Sequence, residues 1–262
     1  MIELERRRGE VLRIGHRGAA TLAPENTLRS FRAAVDVGVD LIEFDVLDLP
    51  RGPLVLAHSD HLDEVSHGAA SGRVRGLSLE ALREVAPELP TLDEALAFFV
   101  DEAPGVGLHI DLKLRVRLDE LGDALRRHDL ERRTVVSGVH VPSLHALARS
   151  APHTRIGITY PEDKLSISRK PYLWPMISLG LSSMRASVPL RLPGLARRSG
   201  ASAVMLQHRL VTEASVTRAH AAGLPVLAWT VDEPADLKRV VAAGVDGVIT
   251  NDPRIFVATL EA

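Results

Sequence analysis

Residues 40–58 read DLIEFDVLDLPRGPLVLAH, and the fold turns on how that stretch is parsed. Its first seven residues form a nearly continuous apolar run, the mark of a strand covered on both faces. Glu43 and Asp45 interrupt the run; two apart, they point to the same side of a strand. Only LDLPRG separates this run from PLVLAH, residues 53–58. A parallel crossover needs about a dozen residues or more, so the second run must return as a hairpin, its turn near Pro50, Arg51 and Gly52. A turn centred on residues 50 and 51 sets Glu43 opposite His58, on a shared face.

Outward from the hairpin, short β-rich runs alternate with helical patterns. Besides DLIEFDV, the parallel strands are VLRIG (11–15), GLHIDLK (107–113), TVVSG (134–138), TRIGIT (154–159), AVMLQ (203–207), PVLAWTV (225–231) and GVIT (247–250), eight in all. TLRSFRAAVDVG, TLDEALAFFVDE, LDELGDALRRHD and ADLKRVVAAG carry helical spacing between them. The alternation predicts an α/β fold, a (β/α)8 TIM-type barrel with a small insertion after the early β-hairpin. A doubly wound open sheet is the competing arrangement, but no Gly-rich dinucleotide fingerprint follows the first strand. The chain reads as a single domain over 1–262, with an insertion of loop and helices at about 59–106. A second strandless stretch, 160–202, holds six basic and no acidic residues within 165–200. An outer barrel helix with a solvated basic face accounts for it; so does a flap that meets phosphate or a membrane surface.

The totals narrow the chemistry. At 262 residues, 45% hydrophobic and 25% charged, the chain has material for one full core. A net charge of −2 and only 3% aromatic residues argue against a nucleic-acid partner. There is no cysteine, which excludes disulfides, thiolate nucleophiles and zinc–thiolate sites. The start, MIELERRRGE, lacks the apolar stretch of a secretory signal, and no run approaches a membrane span; the expectation is a cytoplasmic protein. The oligomeric state is left open.

In a barrel, the C-terminal strand ends surround one mouth, where reactive groups collect. The first strand ends in His16 and Arg17, the second carries Glu43 and Asp45, GLHIDLK carries Asp111 and Lys113, and the run at 225–231 carries Trp229 near its end. Paired carboxylates on an apolar strand repel unless a cation or proton intervenes. Three carboxylates without a thiolate suit a hard divalent cation, Mg²⁺ or Ca²⁺; a structural network with Arg17 and Lys113 is the other account. His16 and His58 on either side of that set could act as general acid and base. Arg17 and Lys113 favour an anionic substrate such as a phosphate ester. In PENT, residues 24–27, Thr27 or Asn26 caps the following helix, and Asn26 is also a candidate to bond near the site.

These residues resemble a known family. HRG at 16–18, PENT, SFRAA at 30–34, GVDLIEFDV at 38–46 and the His58 that follows are similar to glycerophosphodiester phosphodiesterases. So are GRVRGLSLEALREV, LPTLDEAL, HIDLK, AWTVDEP and GVDGVITNDP, so the likeness spans nearly the whole chain. The resemblance implies a TIM-type barrel, a divalent ion, and hydrolysis of a small glycerophosphodiester to sn-glycerol 3-phosphate and an alcohol. It implies His16 and His58 as the acid/base pair, and Glu43, Asp45 and Asp111 as metal ligands. Arg17 and Lys113 become phosphate contacts, and Trp229 lines the pocket. The chain departs from the family pattern in Asp111, usually Glu, in Ser59 between His58 and Asp60 where His-Asp is usual, and in LPRG at 49–52. Two other functions remain: a lysophospholipase D-type enzyme touching membranes through 165–200, and a catalytically silent phosphodiester-binding barrel.

Overall fold

The computed structural model describes residues 1–6, 9–162 and 174–260. Residues 163–173, with the start of the basic segment 165–200, lie outside the described residues. In chain order the elements begin β1 (Leu12–His16), α1 (Leu28–Val37), β2 (Leu41–Asp48), β3 (Leu54–Leu56), α2 (Leu62–Val65), α3 (Leu79–Val85), α4 (Leu92–Asp101) and β4 (Gly107–Leu112). There follow α5 (Leu118–Arg127), β5 (Thr134–Ser137), α6 (Val141–Ser150), β6 (Arg155–Tyr160) and α7 (Trp174–Ser199). The chain ends with β7 (Ala203–Gln207), α8 (Glu213–His220), β8 (Val226–Trp229), α9 (Pro234–Ala242), β9 (Gly247–Thr250) and α10 (Ile255–Leu260). The eight parallel strands pair in the ring β1-β2-β4-β5-β6-β7-β8-β9, and β9 pairs back to β1. This closed barrel is the expected (β/α)8 fold.

Each strand is buried on both faces, and the two faces have different work. The outer faces meet the helices in one continuous core. There Phe31 of α1 touches Phe44 of β2 and Phe98 and Phe99 of α4, ring centroids 5.4–5.7 Å apart. Truncating such a ring to alanine costs about 3–5 kcal/mol. The start of α1 is fixed by a capping box between Thr27 and Ser30, and its end by Gly38 at φ 92°.

Inside the barrel the filling changes along the axis. Leu12, Ile14, Leu41, Val135, Met205, Leu227 and Ile249 form a separate apolar floor, sealed by Leu4. Two residues further along the same strands, on the same side, stand His16, Glu43, Ser137 and Trp229. Gly157 makes the floor possible, since a Cβ there would lie 2.5 Å from Met205 Sδ. The interior is therefore apolar below and polar at the mouth.

The hairpin exists, but its register differs by one from the sequence expectation. Val46 pairs with Leu56 and Asp48 with Leu54, so the turn is centred on Arg51 and every partner falls one residue later. Continued, that register would set Glu43 opposite position 59, and β3 stops at Leu56, before His58. Residues 49–53 span a longer bend than a two-residue turn because β2 runs straight on to Asp48, two residues past Val46. β2 pairs with β1 through Leu41, Ile42 and Glu43, then with β3 through Val46, Leu47 and Asp48. Beyond β3, the segment through Leu89 builds a small apolar cluster of its own around Leu62, Val74 and Leu82. Arg75 ties it to β2 through Asp48, Nη2 to Oδ1 2.5 Å.

Among the described residues no helix is long and apolar enough to cross a membrane. α7 buries Val188, Leu192 and Ala196 one turn apart, and exposes Arg185, Arg191, Arg197 and Arg198.

Candidate active site

Strand register assembles the mouth. His16 on β1 stands beside Glu43 on β2, which stands beside His109 on β4. One layer up, Asp45 stands beside Asp111, and Asp111 beside Ser137 on β5. Neighbouring positions on parallel strands share a face, so these side chains crowd one end of the ring. Glu43, Asp45 and His109 are each under 5% exposed.

Just past β1, Arg17 takes a left-handed backbone at φ 51°. That turn points its N–H at Glu43 Oε2, 2.9 Å away, and its guanidinium into the mouth. There Nε lies 3.1 Å from Asp45 Oδ2, an ion pair without hydrogen-bond alignment, and Nη1 donates to Glu25 Oε1 at 2.7 Å. Asn26, also left-handed at φ 57°, holds Asp45 twice. Its Nδ2 donates to Oδ2 and its Oδ1 accepts the Asp45 N–H, each at 3.0 Å. Thr27, not Asn26, caps α1. Lys113 bridges two acids, Nζ lying 3.1 Å from Asp45 Oδ1 and 2.5 Å from Asp111 Oδ2. The other Asp111 oxygen accepts the Ser137 hydroxyl at 3.0 Å.

Burial pushes Glu43 well above the usual carboxylate range, and the charges of Asp45 and Asp111 add to the rise. Burial acts on Asp45 too, but Lys113 and Arg17 outweigh it and hold Asp45 well below its ordinary value. Burial, with Arg17 next, lowers His16 to about 4. Burial also lowers His58, against the pull of Asp45. His109 falls to about 4 by burial.

The tautomer of His16 follows from its neighbours. Asp232 is acceptor-only and takes the Asn251 backbone N–H at 2.8 Å and its Nδ2 at 2.7 Å. The Asn251 Oδ1 must then face His16 Nδ1, at 2.6 Å, so Nδ1 carries the hydrogen. Nε2 is left with a lone pair, 3.8 Å from Glu43 Oε2. His58 Nδ1 lies 3.3 Å from Glu64 Oε2 on α2.

His58 reaches this set by a route other than strand pairing. Past Leu56 the chain runs on toward the end of β1, along the edge of β2 that β1 leaves. His58 there feels the charges of Asp45, Arg17 and Lys113, and His16 feels His58. Trp229 ends β8 beside Gln207 and packs on the apolar floor, its buried Nε1 without a hydrogen-bond partner among the described residues. All nine residues singled out in the sequence thus lie at or beside one mouth. Asn251, Asp232, Glu64 and Ser137 were not singled out. Their one sequence signal is position, Asn251 and Ser137 at the C-terminal ends of strands.

Oxygen donors on Glu43, Asp45 and Asp111 suit a hard divalent ion, and the like-charge strain on Glu43 is what such an ion relieves. Among the described residues no three acidic or histidine side chains close to ligand spacing; the Lys113 ammonium stands between Asp45 and Asp111. The donor chemistry fits an ion that competes with that ammonium.

The sequence model of the glycerophosphoryl diester phosphodiesterase family matches residues 16–255. A glycerophosphodiester phosphodiesterase of Caldanaerobacter subterraneus subsp. tengcongensis is 27% identical, over 95% of this chain and 97% of that one. One from Arabidopsis thaliana is 28% identical, over 94% of this chain and 72% of its own. Two solved structures share the fold. The glycerophosphodiester phosphodiesterase of Agrobacterium tumefaciens superposes with a TM-score of 0.71 at 21% identity, over 95% of this chain and 99% of that one. An Oleispira antarctica phosphodiesterase, solved with sn-glycerol-3-phosphate, gives 0.73 at 21% identity, over 95% and 96%.

Proposed function

The chain belongs to the glycerophosphoryl diester phosphodiesterase family, and from that premise we propose that it hydrolyses glycerophosphodiesters to sn-glycerol 3-phosphate and an alcohol. The observation that carries the reading is the stack at the mouth, in which buried Glu43 and Asp45 and half-buried Asp111 stand beside His16 and His58. Glu43, Asp45 and Asp111 would hold a divalent cation, Mg²⁺ or Ca²⁺. Bound, it would supply Lewis-acid stabilisation of charge on a phosphate oxygen. Arg17 and Lys113 share the remaining anionic charge, and Asn26 keeps Asp45 in place. One histidine removes a proton from the nucleophile, a water or the substrate's own 2-hydroxyl, and the other protonates the leaving oxygen. Trp229 lines the pocket. We read the compartment as the cytoplasm.

The test is a panel of glycerophosphodiesters and lysolipids, assayed for glycerol 3-phosphate with Mg²⁺, with Ca²⁺ and with chelator. Release that needs the ion supports the reading. Tight phosphodiester binding without any product would favour a silent binding barrel instead.

A second reading is favoured by α7. Its 26 residues span about 39 Å. Arg185 and Arg191 on it are exposed, as is Leu190 at 79%, and a groove opens between Leu190, Arg191 and Tyr160 at the mouth end of β6. The helix would rest on a membrane and bring lysolipid headgroups to the mouth. Activity on lysolipids that rises with anionic vesicles, and loses the rise in Arg185→Glu/Arg191→Glu, would support it.

A further inference from the structure

The two histidines are backed by different chemistry. Behind His16 stands the neutral amide of Asn251; behind His58 stands the carboxylate of Glu64. Glu64 sits on α2, outside the barrel strands. Its Oε2 lies 3.3 Å from His58 Nδ1 and accepts the Ser59 hydroxyl at 2.7 Å. Asp60, the acid nearest His58 in the chain, is engaged elsewhere. It accepts the Arg75 N–H at 2.8 Å and pairs with Arg73 at 3.6 Å.

A carboxylate only accepts, so His58 Nδ1 carries a hydrogen toward Glu64, and the ring's far nitrogen is set by that bond. When the far nitrogen is also protonated, the ring is positive and lies against a negative partner. An amide offers His16 no such support. Asp45 acts on His58 in the same sense as Glu64, while Arg17 and Lys113 oppose it.

We propose that Glu64, locked by the Ser59 hydroxyl, is the positioning residue that sets His58 up as the proton donor to the leaving oxygen. The proposal rests on the phosphodiesterase reading. As the nucleophile's oxygen bonds to phosphorus, the bond from phosphorus to the leaving oxygen breaks and that oxygen keeps the electron pair. The leaving oxygen takes the proton from His58 Nε2, and the nucleophile's proton passes to His16 Nε2. An alkoxide is a poor leaving group and needs that proton; p-nitrophenolate does not.

The experiment therefore compares glycerophosphoethanolamine with the same phosphoglycerol carrying p-nitrophenol, in the native protein, Glu64→Ala, Glu64→Gln and Asp60→Asn. A general acid is worth roughly 10²–10⁴-fold. Glu64→Ala should lose about 10²-fold in kcat on the ethanolamine ester, with KM little changed, and lose far less on the aryl ester. Glu64→Gln, which keeps the shape, should show the same selectivity should the alanine variant fold poorly. Asp60→Asn should leave the ratio of the two rates unchanged. Moving the carboxylate, Ser59→Asp in Glu64→Ala, should restore about tenfold or more on the ethanolamine ester. Equal losses on both esters, or no loss on either, overturn the proposal. ¹⁵N NMR of His58 gives a readout independent of turnover: Nδ1–H in the native protein, a tautomer mixture in Glu64→Ala. A native protein that cleaves neither ester sinks the phosphodiesterase reading, and the NMR result still decides whether Glu64 fixes the ring.

Discussion

His16 Nε2 faces the Glu43 carboxylate across 3.8 Å, with no hydrogen bond between them. The ring's one hydrogen is committed to Asn251, and Glu43, once a bound cation offsets the burial and like charges that favour its protonated form, would bring only lone pairs. Two acceptors set face to face in a buried mouth leave room for a group that carries a proton or a positive charge. A nucleophile's O–H held beside a cation would meet that demand, in keeping with the proposal that His16 receives the proton.

His16→Ala and His58→Ala should each lose roughly 10²–10⁴-fold in kcat on glycerophosphodiesters. Circular dichroism and thermal melts should stay near native, because neither ring belongs to the apolar floor or the helix-facing core. Native rates in both variants would refute the assignment.

Asn251→Ala removes the partner of His16 Nδ1 and lets the ring exchange its hydrogen between nitrogens. A lost buried hydrogen bond costs about 1–3 kcal/mol, roughly a tenfold to hundredfold loss in kcat. KM should change little. Asp232→Ala should give a smaller loss of the same kind, because Asp232 reaches His16 through Asn251. A change confined to KM in both variants would count against this.

Chelator should abolish turnover, and Mg²⁺ or Ca²⁺ should restore it. An ion that binds only the folded chain also raises the melting temperature by mass action. Asp45→Asn and Asp111→Asn should weaken that thermal shift. Calorimetry showing unchanged ion affinity in both would remove these residues from the ligand set.

In the metal-free protein His16 and His109 should each cost stability as pH falls from about 6.5 toward 4, against an opposite contribution from the raised Glu43. Burial lowers His16 and His109 from 6.5 to about 4, so the unfolded chain binds more protons in that window. Each shift is worth on the order of 3 kcal/mol at the low end, and that stability is fully present above about 6.5. His109→Gln should flatten the dependence in urea melts run from pH 7.5 to 4.5. An equally steep fall in that variant would place the effect elsewhere.

The barrel was legible because its strands are short apolar runs whose ends carry the few charges, as in Glu43–Asp45 and Asp111–Lys113. The hairpin register was not, because nothing local in LDLPRG states where β2 stops, and a one-residue error reverses every facing. Thr27 and Asn26 both read as caps; only the closed barrel turns Asn26 away from the helix and onto Asp45. Nothing in the sequence sets Glu64 and Asp232 apart from the other acids of the chain. Their partners, His58 and Asn251, lie on other elements, and only the assembled fold brings them within reach.

The loop at 49–53 works as a ruler. β3 starts where that loop ends, and His58 sits a fixed number of residues beyond. Deleting a single loop residue would draw His58 back by about 3.3 Å and flip it to the opposite side of the ribbon. Leu54, Val55 and Leu56 would turn with it, while the charged groups on β1, β2 and β4 would stay where they are. A length change in a solvent-facing bend could thus silence the enzyme while leaving every reacting group in the chain.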